Sequence, residues 1–188
     1  MAHEEWGPLA GLIGTWESGW DGVDVSYHND DGKLNETLYR ERTSFVPFGP
    51  VENGEQSLYG LDYRTAAWRD DEANPFHTEI GYWMWDARDH QVLRCFLIPR
   101  ASALIAGATV EPDATSFHLH AVLGSNTYGI LSNQYLDAVA QTTRYDVSVT
   151  IGEGTFSYDE TTIVEHRKWP TAILHTDRNT LKRVSDDA

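Results

Sequence analysis

From Gly14 onward, apolar and polar residues alternate with a period of two. Tyr145, Val147, Val149 and Ile151 alternate with Arg144, Asp146, Ser148 and Thr150, the pattern of a strand with one buried face. Gly152-Glu153-Gly154 then turns the chain into a second alternating run, Thr155–Ile163. Comparable runs fall at Glu36–Phe48, Gln56–Trp68, Phe76–Trp85, Val92–Ile98, Ala101–Val110, Ser116–Leu123 and Thr127–Leu131, and Ala172–Val184 closes the series. Turn-forming residues stand between them: Asn29-Asp30-Asp31-Gly32, Gly49-Pro50 with Asn53-Gly54, Asp70 through Pro75, and Pro112-Asp113. The opening stretch differs. Pro8 begins a short helical turn over Pro8–Ile13, and Gly14 ends it.

With the strand that follows Gly14, the count reaches about ten strands and no long helix. An open sheet of that many strands would expose unpaired edges, and closure removes them. The expected fold is therefore all-β, a closed up-and-down antiparallel β-barrel over about residues 14–184, forming one domain across 1–188. A two-sheet sandwich is the alternative. No internal repeat or low-complexity tract interrupts the pattern.

Charge narrows the partners. Lys and Arg number 14 against 29 Asp and Glu in 188 residues, a net −15, which argues against nucleic acid and anionic membranes as partners. That excess reads as a solvated, self-repelling surface. No apolar run reaches the roughly 18 residues of a membrane helix and no signal segment opens the chain, so a cytoplasmic location is expected. Cys95 is the single cysteine, which fits a reducing compartment. Seven Trp, nine Tyr and six Phe favour half-buried strands. Disorder is expected only at the polar ends, such as Ser185-Asp186-Asp187-Ala188.

Gly14-Thr15-Trp16-Glu17, just after the helical turn, resembles the Gly-x-Trp opening of the calycins. Tyr63-Arg64-Thr65-Ala66-Ala67-Trp68, followed by Phe76-His77-Thr78-Glu79-Ile80-Gly81-Tyr82-Trp83, is similar to segments of the nitrobindins, haem-binding β-barrels related to fatty-acid-binding proteins. The closing run His175-Thr176-Asp177-Arg178-Asn179-Thr180-Leu181-Lys182-Arg183 resembles their last strand. This resemblance implies that His175 is the axial ligand of a b-type haem, held in an exposed pocket that reacts with nitric oxide and isomerises peroxynitrite to nitrate. It also implies that His77 lies in the cavity on the open side of the haem, and that Trp16 is buried at barrel closure under Lys182, Arg183 or Arg178. Where the family repeats glycine, this chain carries Ser18 and Trp20, so Trp20 is expected to fill part of the ligand space.

Other residues offer competing chemistry. His118 and His120 share one side of a strand, a spacing that suits a metal, although no carboxylate follows within the next few residues. Arg94, Arg100, Arg144 and Lys182 lie in or at the ends of strands, and a buried arginine binds a carboxylate bidentately. The face of Arg94 depends on register, which the local sequence does not fix. The function expected beside haem binding is a non-enzymatic carrier or sensor of a fatty-acid-like apolar molecule. No nucleophile elbow, phosphate loop, Cys-x-x-Cys pair or dinucleotide fingerprint is present.

Overall fold

The alternating runs become antiparallel strands joined largely in chain order. In the computed structural model, which describes residues 4–28 and 32–184, a 3-10 helix covers Glu4–Leu12. The strands are β1 (Gly14–Glu17), β2 (Gly22–His28), β3 (Lys33–Asn53), β4 (Gln56–Trp68), β5 (His77–Asp86), β6 (Gln91–Ile98), β7 (Ser102–Thr109), β8 (Ser116–Val122), β9 (Ile130–Leu131), β10 (Ala140–Gly152), β11 (Thr155–His166) and β12 (Ile173–Arg183). One short helix, α1 (Gln134–Val139), precedes β10. The turn read at Asn29-Asp30-Asp31 and the tail Ser185–Ala188 lie outside the described residues.

Each long strand pairs with the next from β3 to β12, apart from β9, which pairs only with β7. The ring is closed by β1 and β2, two halves of one staff broken at residues 18–21; both pair with β3 on one side and β12 on the other. Counted by staffs, this is a closed ten-stranded antiparallel barrel, not a sandwich. Its seam is thin. β12 meets β1 at Trp16↔Arg183 and Glu17↔Lys182, and meets β2 at Thr176↔Val25, Asp177↔Asp24 and Arg178↔Val23. Between β11 and β12, by contrast, the ladder is continuous from Thr155↔Lys182 to Val164↔Ile173.

One end is plugged. Leu9 and Leu12 of the 3-10 helix are fully buried against the core aromatics, each contributing about 1.5–3 kcal/mol by leaving water. Trp16 is also fully buried, its Nε1 donating to the Leu12 carbonyl at 2.7 Å. The Arg183 guanidinium covers the Trp16 ring at 4.3 Å, whereas Lys182 and Arg178 are exposed. The core above is Phe45, Trp83, Phe156, Leu119 and Leu181, with Val147 and Val149 from the first alternating run.

Three local expectations change. Thr127–Leu131 yields only the two-residue β9, because Ser125 Oγ accepts from the Thr127 and Tyr128 amides and turns the chain. Gly49-Pro50 is not the turn; it sits in a register shift within β3, and Asn53-Gly54 reverses the chain. Helix α1 was unsuspected. Its N-cap, Asn133, accepts from the Tyr135 and Leu136 amides. The glycine of the His-x-Glu-x-Gly segment has a steric cause, since a Cβ on Gly81 would stand 1.9 Å from the Cys95 carbonyl oxygen of β6.

Candidate functional site

The end opposite the plug is hollow. An inner void of about 70 Å3 opens to an apolar slot of about 330 Å3, and the two share His77, Glu79, Glu160 and His175. Phe96, Ile98, Leu104, Ile130, Leu136 and Val164 form the slot's walls. The slot reaches a mouth of about 610 Å3 between α1, the β6–β7 turn and the β11–β12 turn, sharing Arg100, Leu136 and His175 with it. His175 borders all three spaces.

Alternation on β6 turns Arg94 inward between Val92 and Phe96, so this is the arginine that faces the interior. Its Nη2 donates to Glu79 Oε2 at 2.7 Å and to Tyr63 Oη at 3.1 Å. Its Nη1 donates to Glu160 Oε2 at 2.8 Å and to Tyr145 Oη. Two carboxylates therefore already neutralise the one buried guanidinium. Arg144 is exposed and paired with Asp146, and Arg100 stands at the mouth.

His77 and Glu79 share the inward face of β5, with His77 Nε2 3.1 Å from Glu79 Oε1. Burial alone would lower the imidazole's affinity for protons; the Glu79 hydrogen bond and charge outweigh it and hold His77 at about 9. For Glu79 burial acts upward, but Arg94 and His77 bring its carboxyl down to about 2.

On β12 the inward positions are His175, Asp177, Asn179 and Leu181. His175 Nε2 lies 2.7 Å from Oδ1 of Asp24, a buried residue of β2. Burial works against a charged His175, yet the Asp24 bond and charge raise its proton affinity. Burial likewise acts upward on Asp24, and bonds from His175 and Ser26 overcome it. Asp177, directly opposite Asp24, makes no such bond to an imidazole; burial and the charge of Glu160 push its carboxyl up to about 8, while Tyr39 Oη donates to it. Asp24, His175 and Asp177 bring ligand atoms within 4.8 Å of one another.

His118 and His120 are set apart from this cavity. Both stand on the outer face of β8, His118 bonded to Asp146 and Ser148 and His120 against the Tyr128 ring. Trp20 corrects another expectation. It is 45% exposed in the β1–β2 break beside Arg40, so it takes none of the ligand space. Ser18 instead ties the break together, its Oγ accepting from the Glu41 amide and from Asn179 Nδ2. The charge reading also needs correction: Asp24, Glu41, Glu79, Glu160 and Asp177 all line the interior. Their inward places were legible only as polar residues on the buried side of an alternation, as in Phe156, Tyr158, Glu160.

A closed ten-stranded barrel, plugged at one end and hollow at the other, with the His175 imidazole bordering all three of its spaces, defines a ligand-binding β-barrel. The chain belongs to the THAP4-like, heme-binding beta-barrel domain family, which matches residues 5–183. Its fold is similar to that of Rv2717c from M. tuberculosis, with a TM-score of 0.64 and 19% identity over 94% of each chain. Among curated proteins none matches the sequence. No helix among the described residues is long and apolar enough to cross a membrane.

The donor set suits the haem that this family implies. An axial histidine commonly has its second ring nitrogen held by a carboxylate. Here Asp24 holds Nε2 of His175, and Nδ1 makes no hydrogen bond among the described residues. The slot beside it is mostly apolar, and its volume lies at the small end of ordinary ligand pockets.

Proposed function

We propose that this barrel binds b-type haem with His175 as the axial ligand and His77 on the open side. The observation that supports it is the position of His175, an inward imidazole paired to Asp24 at the junction of void, slot and mouth. When bound, ferric haem supplies an iron centre that takes nitric oxide and isomerises peroxynitrite to nitrate. The chain's own part is to orient and shield. Asp24 fixes the His175 ring, Phe96, Leu104 and Ile130 exclude water from the slot, and Glu79 keeps a proton on His77.

The competing reading is an apolar carrier without iron. Arg94 weighs against one that buries a fatty-acid carboxylate, because Glu79 and Glu160 already hold both its terminal nitrogens and neutralise its charge. The test is titration of the protein with ferric haem, followed by the Soret band. Wild type should saturate with a shifted band, and His175→Ala should lose the shift. His77→Ala should change nitric oxide or peroxynitrite reactivity more than haem affinity. Equal titrations for wild type and His175→Ala would remove the ligand, and no saturable haem binding would favour the carrier.

A further inference from the structure

The three spaces differ in charge as well as in size. The inner void is lined by five carboxylates, with Arg94 as its one buried guanidinium. The mouth is the reverse. Arg100, Arg167 and Lys168 line it together with His166, and no Asp or Glu does, in a chain of net charge −15. None of these three cations is in an ion pair among the described residues.

Helix α1 holds the basic turns in place. At its N-terminus Asn133 Nδ2 donates to the Arg100 carbonyl at 2.6 Å, which ties down the β6–β7 turn. At its C-terminus the Val139 carbonyl accepts from the Arg167 amide at 3.0 Å, which ties down the β11–β12 turn. Arg100 also borders the apolar slot, so an anion at the mouth is continuous with an apolar body inside.

We propose that Arg100, Arg167 and Lys168 form a carboxylate subsite at the mouth. The barrel takes a flat apolar ligand body first and leaves its carboxylates at this rim. An anionic head sent inward would meet Glu79 and Glu160, which already hold the Arg94 guanidinium, whereas at the rim it meets unpaired cations. This rests on the slot being the ligand cavity, as proposed above, but not on the iron–imidazole bond.

The test uses a metal-free porphyrin, so that iron plays no part. Protoporphyrin IX, with two carboxylates, and its dimethyl ester are titrated into the full chain, with binding followed by tryptophan quenching. Wild type should bind the acid about tenfold more tightly than the ester at low salt. That preference should shrink toward unity at about 1 M salt, where screening is nearly complete. The triple variant R100Q/R167Q/K168Q should lose the preference while keeping its affinity for the ester. Equal binding of acid and ester by wild type would overturn the subsite, as would an undiminished preference in the triple variant. Binding of neither porphyrin would overturn the subsite and the cavity reading together. A normal acid preference without a His175-dependent haem spectrum would remove the iron ligand alone.

Discussion

Replacing Arg94 with methionine should be among the most damaging single changes in the barrel. The guanidinium is buried and reaches Glu79 Oε2 at 2.7 Å, Glu160 Oε2 at 2.8 Å and the hydroxyls of Tyr63 and Tyr145. Methionine fills much of the same volume but strands two carboxylates away from water. Breaking a buried ion network from one side typically costs about 3–5 kcal/mol. With a urea dependence of about 2–3 kcal/mol per molar for a chain of this size, the midpoint should fall by roughly 1–2.5 M. Tryptophan fluorescence during urea unfolding reads this directly. R94M/E79Q/E160Q should recover most of the loss, because no charge is then left unpaired. The deficit of Arg94→Met should also narrow in acid. Glu79 sits at about 2 in the folded chain against 4.5 ordinarily, so its contribution is present above 4.5 and lost as pH falls through about 2. An Arg94→Met protein within about 1 kcal/mol of wild type at pH 7 would refute the reasoning, since a buried ion network cannot be broken that cheaply.

The remaining expectations follow from the same geometry. Trp16→Ala should cost about 3–5 kcal/mol in denaturant titration, while Arg183→Ala, which removes an exposed cover, should cost about 1 kcal/mol. His77, held at about 9 against an ordinary 6.5, adds stability that is full below 6.5 and lost as pH rises through 9. His77→Gln should therefore flatten the alkaline part of the stability profile. Asp177, at about 8 against 3.8, acts in the same sense, so Asp177→Asn should remove a decline between those values. His118→Ala and His120→Ala should stay within about 0.5 kcal/mol of wild type and leave haem titrations unchanged.

Much of the barrel could be read from alternation because strands such as β10 bury one face, at Tyr145, Val147 and Val149, and burial enforces a period of two. Helix α1 was not legible for the converse reason, since none of its residues is fully buried and only Tyr135, Leu136 and Val139 turn toward the mouth. His77, Glu79 and His175 could be singled out by residue type and spacing. The direction of Arg94 could not, because it depends on which strands flank β6 and in what register. Asp24, Glu41 and Asp177 were lost in the acid excess. A carboxylate normally stays in water, and only the closed barrel reveals that these have left it. Trp20 shows the opposite error, a bulky residue expected inside that a break in the staff turns outward.

That break has a mechanical consequence. A hoop of strands opens where its ladder is short, and beside the break β2 meets β12 only over Val23–Val25 against Thr176–Arg178. The same joint carries Asp24 on one lip and His175 on the other, linked by a single 2.7 Å contact. Parting the lips by one or two backbone hydrogen bonds would separate carboxylate from imidazole while the plug at Leu9, Leu12 and Trp16 stayed shut. Amide exchange at these positions should then run ahead of the β10–β11 ladder, and slow when a ligand engages His175. Barrel closure and control of the candidate ligand thus share one joint, and an event at either is felt at the other.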